Sequence, residues 1–110
     1  MKTEKEIKAI QLQFLEKMKE FNYGKYVAIK SNEFVLNIGH GGILHIANGL
    51  KDLTLGYSGQ GQCLGSFLTE VKRESLVTAC CQADATNIRA IPIFADFVYN
   101  LIPIDLRINK

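Results

Sequence analysis

One segment of the chain, 89-RAIPIFADFVYNLI-102, is apolar on nearly every side when it is drawn as a helix. Its clearly polar residues, Arg89, Asp96 and Asn100, fall on a single stripe. A surface helix of a small domain normally keeps a polar half, so this helix must be covered on more than one side. The fold has to supply that cover, either from its own elements or from a second subunit.

The length and composition of the chain are typical of one globular domain spanning residues 1–110. Hydrophobic residues make up 47% of the 110 residues and charged residues 22%, which is close to the globular average. A chain of this size buries enough surface for a core without disulfides or structural metal. The net charge is only +2 and the basic residues are dispersed. We therefore do not expect nucleic-acid binding, which requires a basic cluster.

The cysteines and the amino-terminal segment indicate a cytoplasmic protein without a membrane span. Cys63, Cys80 and Cys81 are odd in number and lack a framework spacing, which favours a reducing compartment. The segment 1-MKTEKEIKAI-10 is charged where a signal peptide needs an apolar core. No apolar run approaches the ~20 residues that a membrane span requires.

A capping box predicts the first helix. Thr3 and Glu6 have the spacing at which each side chain accepts from the other residue's free amide. Apolar residues then recur at helical spacing, namely Ile7, Ile10, Phe14, Met18 and Phe21. Gly24 suits a left-handed carboxyl-terminal cap. These features predict a helix over about residues 3–22.

Alternating apolar residues predict strands in the middle of the chain. The segment 25-KYVAIKSNEFVLNI-38 divides into two apolar runs and indicates a tight hairpin. A corner at Gly39–Gly42 then leads into a short helix over Ile43–Leu53. The segment 53-LTLGYSGQGQCLGSFLTEV-71 indicates two strands around the turn SGQG, and 75-SLVTACCQ-82 indicates a buried third strand.

The carboxyl-terminal part predicts one more helix and a closing strand. Asp84 or Thr86 can cap a helix that extends to Ile102, with Pro92 in its first turn or bending it, and Pro103 stops it. The segment 104-IDLRI-108 alternates apolar and charged residues, as a half-exposed strand does.

The predicted fold class is α+β, with an antiparallel sheet of about five strands flanked by three helices. The predicted order is α-β-β-α-β-β-β-α with a short carboxyl-terminal strand. This order resembles that of the roadblock and profilin-like regulatory folds over most of the chain. The resemblance rests on element order alone, and it implies a central antiparallel sheet and, by analogy, a regulatory role.

A glycine-rich corner is the candidate site for a small anionic ligand. Free amides at a helix start favour an anion, and glycines let the backbone approach it closely. The candidate ligand-binding residues are Gly39, His40, Gly41 and Gly42, together with Tyr57 and Ser58 in the Tyr57–Gly61 turn. In the alternative interpretation the glycines merely permit a sharp corner. The chain lacks the lysine and Ser or Thr of a phosphate-binding loop.

The candidates for metal binding or thiol chemistry are weaker. His40, His45 and Cys63 offer metal-ligand types, but no closely spaced ligand pair supports them, so we favour one loop and one surface histidine. Cys80 and Cys81 lack a Cys-x-x-Cys pattern, and we favour buried structural thiols. No carboxylates are spaced for acid–base catalysis. We therefore expect no cofactor and favour a non-enzymatic protein.

The apolar helix predicts self-association. We assign the interface to Phe94, Phe97, Val98 and Leu101, and a closed dimer is the commonest soluble oligomer. The alternative is that the first helix covers this surface within one chain. The functional prediction is a non-enzymatic, homo-oligomeric regulatory or protein-interaction module. The alternative is a protein or enzyme that binds a small anion or metabolite at Gly39–Gly42 and Tyr57–Gly61.

Overall fold

Every regular element that the structure describes is a helix. The computed structural model describes residues 2–60, 64–75, 78–80 and 83–108. Within these ranges the helices are α1 (Glu4–Lys17), α2 (Tyr23–Glu33), α3 (Gly39–Tyr57), α4 (Ser66–Lys72), α5 (Ala85–Arg89), α6 (Ile91–Leu101) and α7 (Ile104–Ile108). The predicted α+β fold, with its antiparallel sheet and its roadblock or profilin-like order, is therefore wrong.

The first helix begins as predicted but ends early. The Thr3 hydroxyl accepts from the Glu6 amide at 3.2 Å, and the Glu6 carboxylate accepts from the Thr3 amide at 3.0 Å. α1 stops at Lys17 rather than near residue 22. The side chain of Asn22 accepts from the Lys25 amide at 3.0 Å and starts α2. Gly24 therefore lies in the first turn of a new helix and does not cap the old one.

The predicted hairpin is replaced by α2. Val27 and Ser31, which are one helical turn apart, are both buried. Ile29, which the alternation placed on the same face as Val27, is 47% exposed. β-branched residues favour strands only weakly, and burial of one helical face overrides that preference. The chain leaves the helix at Val35, whose φ of 56° lies in the left-handed region.

α3 takes up the predicted corner, the predicted second helix and the first predicted strand of the glycine-rich segment. Its buried residues keep helical spacing along its length, namely Ile46, Ala47, Leu50, Leu53, Thr54 and Tyr57. A Cβ on Gly49 would lie 3.4 Å from the Phe94 ring, and one on Gly56 would lie 3.2 Å from Leu64. These two glycines therefore mark close packing against α3 rather than turns. The predicted turn begins at Ser58 and Gly59, and the φ of Gly59 is +71°.

The other predicted strands are also replaced by helices over most of their described residues. α4 replaces the strand that was to run to Val71, and α7 replaces the closing strand. Residues 78–80 are helical where the third strand was predicted. The remainder of that prediction, at Leu76, Val77, Cys81 and Gln82, lies outside the described residues. The alternation in 104–108 covers only five residues, which is too short to distinguish a strand from a short helix.

The predicted carboxyl-terminal helix is present but divided at Ala90. The Asp84 carboxylate accepts from the Asn87 amide at 2.8 Å and caps α5. Pro92 lies in the first turn of α6, where its missing amide costs no helical hydrogen bond. α6 is strongly apolar but has only 11 residues. In the part of the chain that the structure describes, no helix has both the length and the apolar character to cross a bilayer.

Aromatic side chains of the same chain cover the inner side of α6. The Phe97 ring lies 6.1 Å from the Phe21 ring, 6.1 Å from Tyr23 and 5.7 Å from Tyr26. On the neighbouring face, the Phe94 ring packs edge-on against Phe67 at 5.0 Å. Such contacts stabilise a core beyond the apolar area that they bury. The residues after α1, the first turns of α2 and α4 thus cover α6. The sequence analysis required such cover but did not identify the elements that provide it.

Replacing Phe97 by alanine should destabilise the fold. The side chain is 0% exposed, so Phe97→Ala should lower the free energy of unfolding by about 3–5 kcal/mol. Leu44→Ala, at a residue that is 64% exposed on α3, is the control and should change it by less than about 0.5 kcal/mol. Guanidinium unfolding followed by far-UV circular dichroism measures both. Equal stability of the two variants would show that Phe97 is not a core residue.

Candidate functional site

The four residues that the sequence assigned to an interface lie largely inside the chain. Phe94, Phe97 and Val98 are buried, and Leu101 is partly buried against the same core. A second subunit cannot reach Phe97 without unfolding α6. Rings of the same chain cover much of this surface, but they come from the segment after α1, from α2 and from α4 rather than from the first helix itself. Phe94 and Val98 also line an open groove beside α6.

An open groove runs along the other side of α6. Its volume is about 660 Å³, within the range of ligand-binding clefts. The described residues that line it come from the end of α2, from α4 and the segment after it, and from α6 and α7. Its apolar lining includes Phe34, Val71, Ala79, Ile91, Ala95 and Tyr99. Tyr99 is 74% exposed and stands at the edge of the groove.

Asp96 holds one part of the groove rim together. The Tyr26 hydroxyl donates to the Asp96 carboxylate, and Lys30 Nζ lies 3.6 Å from the same oxygen. Asn100 donates to the other oxygen at 3.0 Å. Lys30 also pairs with Glu33 at 2.9 Å, and the hydrogen bond to Glu33 raises the pKa of Lys30. Burial, and then the bond to Asp96, raise the pKa of Tyr26 above its ordinary value.

Arg107 holds a second part of the rim. Its Nη2 donates to Glu74 Oε1 at 2.7 Å, and its guanidinium lies 5.5 Å from the centre of the Tyr99 ring. The hydrogen bond to Glu74 raises the pKa of Arg107. Each charged residue among the described lining residues therefore has an ion-pair partner within the chain. The groove is an apolar surface between neutralised charges.

The two halves of the predicted ligand site lie at opposite ends of α3. Gly39 has a φ of +68° and begins the helix, with the exposed His40 and Gly41 beside it. Tyr57 ends the same 19-residue helix. At a rise of 1.5 Å per residue, Gly39 and Tyr57 are about 27 Å apart, so they cannot bind one small ligand.

The residues at the carboxyl end of α3 are also enclosed. The Tyr57 hydroxyl donates to the carbonyl of Lys72 at 3.0 Å, and burial raises the pKa of Tyr57. Ser58 is buried, and its hydroxyl has no hydrogen-bond partner among the residues that the structure describes. Gly61 lies outside the described residues. This end of α3 packs the core rather than facing a ligand.

The predicted metal and thiol candidates do not come together where they are described. His40 and His45 are five residues apart on α3, so they point about 140° apart around the helix. His45 Nε2 lies 3.6 Å from Asp84 instead. Cys63 lies outside the described residues, and the described ones hold no group of three metal-ligating side chains. Cys80 is exposed, contrary to the prediction of a buried thiol, and Cys81 is not described.

Only one feature of the sequence pointed to the groove. Asp96 belonged to the polar stripe on an otherwise apolar helix, but its contacts with Tyr26 and Lys30 join residues about 70 positions apart. No periodicity within one segment can reveal such a pair. In the structure, Asp96 is half-buried at the rim of the groove.

No protein-family model, curated protein or solved structure matches the chain. The groove must therefore be interpreted by its own chemistry. The hydroxyl of Ser75, a lining residue, donates to Thr78 at 3.0 Å, and the lining carboxylates belong to ion pairs. The lining carboxylates and the Ser75 hydroxyl therefore all have partners within the chain.

The buried tyrosines predict a loss of stability in alkali. The pKa of Tyr57 is raised from an ordinary value near 10, so the unfolded chain releases this proton at a lower pH than the folded chain. The free energy of unfolding should therefore fall as the pH rises above about 10.

Tyr57→Phe tests this pH dependence. The variant should lose about 1 kcal/mol at neutral pH with the bond to Lys72, and it should lose less than the parent between neutral pH and about pH 11. Tyr99→Phe, at an exposed residue, is the matched control and should keep the parental pH dependence. Guanidinium midpoints at both pH values measure the effect. Parallel losses in all three proteins would contradict it.

Proposed function

We propose that the chain is a non-enzymatic protein-interaction module whose groove along α6 accepts an apolar helical segment. The observation that carries the proposal is the open cavity of about 660 Å³ with an apolar lining and the exposed Tyr99 at its edge. An exposed apolar surface with a polar rim is the usual mark of a docking site on a small protein. Aromatic side chains such as Tyr99 are enriched in such sites.

The charges of the rim favour a neutral occupant. Asp96 and Arg107 already have partners in the chain, so a charged ligand would have to compete with Lys30 or Glu74. Breaking a partly buried ion pair costs more free energy than a new, solvent-exposed ion pair with the ligand would recover. An apolar ligand surface avoids this cost, because its binding free energy comes from the burial of apolar area alone.

A helical occupant fits the shape of the site. The groove lies between packed helices, and an amphipathic helix can lay side chains spaced i, i+3, i+4 and i+7 into such a groove. Occupation or release of the groove would give the module its regulatory role. A cytoplasmic location is part of the proposal, because three cysteines without a framework spacing suit a reducing compartment.

A single tryptophan can report on the groove, because the chain has none. Tyr99→Trp places the reporter at the groove edge, and Leu12→Trp places one at a similarly exposed position on α1, outside the groove. Each dilute protein is titrated with a synthetic amphipathic helix that carries leucine on one face and lysine and glutamate on the other. The emission of Tyr99→Trp should shift to the blue and that of Leu12→Trp should not.

Two results would contradict the proposal. If neither emission changes, the groove does not accept an apolar helix. If both change equally, the peptide binds without preference for the groove.

A further inference from the structure

Building on the proposed function, we infer that α6 of a second copy of this chain occupies the groove. The two helices would cross antiparallel about a two-fold axis near Ala95. The inference names the occupant that the proposed function leaves open, and it rests on that function. It assigns the contact to the exposed residues of α6, although the buried Phe94 and Val98 also line the groove.

The open face of α6 carries an uncharged seam. Pro92, Ala95 and Tyr99 are exposed, and their spacing of i, i+3 and i+7 aligns them along one side of the helix. Asp96 and Asn100 lie beside this seam and are hydrogen-bonded to each other. The seam is therefore apolar along its length, with its polar groups displaced to one edge.

The order of residue sizes makes the seam complementary to itself. Ala95 is small and stands between Pro92, one turn before it, and Tyr99, one turn after it. Two antiparallel helices related by a two-fold axis at Ala95 would approach closely there, because the distance between helix axes depends on the side chains at the contact. Tyr99 of each copy would then lie against Pro92 of the other. A closed pair of this kind buries the same patch on both subunits.

Charge also favours a second copy. The rim acids and bases are paired within the chain, so the occupant should present no charge towards the groove. The Pro92–Ala95–Tyr99 seam meets this requirement. Any helix with an uncharged face would meet this requirement. A second copy is favoured because its seam also matches the seam of the first copy in residue spacing and size.

The contact extends beyond α6. Phe34 at the end of α2 and Val71 in α4 also line the groove and would flank the crossing helices. One helix pair with two flanking side chains on each side is smaller than a permanent interface. We therefore expect a reversible dimer that dissociates in the micromolar to millimolar range.

Sedimentation equilibrium over that concentration range tests the inference. The parent should shift from the 12.3 kDa chain towards twice that mass as its concentration rises. Ala95→Glu, at an exposed position, should weaken dimerisation at least about tenfold, because it buries an unpaired carboxylate at the axis. Leu44→Glu, at an exposed residue on α3 outside the groove, is the matched control and should dimerise like the parent.

A second variant guards against a folding defect. Pro92→Glu places the same charge in the first turn of α6, where the helix dipole favours it. It should also weaken dimerisation, and far-UV circular dichroism should show that both variants keep the parental helix content. If Ala95→Glu does not fold, Pro92→Glu decides the outcome.

Three outcomes would overturn the inference. A parent that stays monomeric while Tyr99→Trp still responds to the synthetic helix would leave the proposed function intact and remove the second copy as occupant. A dimer that survives both glutamate variants would place self-association on another surface. A monomeric parent whose groove also ignores the synthetic helix would refute both proposals.

Discussion

The packing of Phe97 against Phe21, Tyr23 and Tyr26 is the contact on which the rest of the structure depends. It holds the inner side of α6 against the turn after α1 and the start of α2. Three of these four rings come from one short stretch, whose direction is set by the Asn22 cap. A helix as apolar as α6 is stable in a small domain only because that stretch covers its inner side. The cover is one-sided, and the uncovered side becomes the groove.

The polar contacts of α6 follow from the same arrangement. Once Phe97 fixes the rotation of the helix, Asp96 is directed towards Tyr26 and Lys30. The half-buried carboxylate is satisfied there, and the groove beside it keeps no charge without a partner among its described lining residues. In the function that we propose, the ion pair of Asp96 is the reason why the groove favours an uncharged occupant.

Local signals in the sequence predicted individual elements, while long-range packing determined the fold class. The Thr3–Glu6 capping box and the Asp84 cap are decided within four residues and were predictable. Gly39–Gly42 was interpreted as a corner before a helix, whereas α3 begins at Gly39 and contains these residues. Gly49 and Gly56 are places where Phe94 and Leu64 approach the backbone, and those contacts join distant segments.

The candidate site was only partly predictable for the same reason. The need to cover α6 could be inferred from its composition, but the covering residues could not, because short alternating runs made α2 resemble a hairpin. The glycine corner and the Tyr57 turn were assigned to one ligand site, with only a short helix predicted between them. A continuous α3 places them at opposite ends of one helix.

The central claim is that α6 has one side buried by its own chain and one open side. Thiol labelling of single-cysteine proteins tests it directly, with Cys63, Cys80 and Cys81 replaced by serine and either Ala95→Cys or Ile93→Cys introduced. In dilute native protein, the thiol at 95 should react as fast as in the unfolded chain. The thiol at 93, where Ile93 is fully buried, should react at least about a hundredfold more slowly. Equal labelling rates at the two positions would contradict the account.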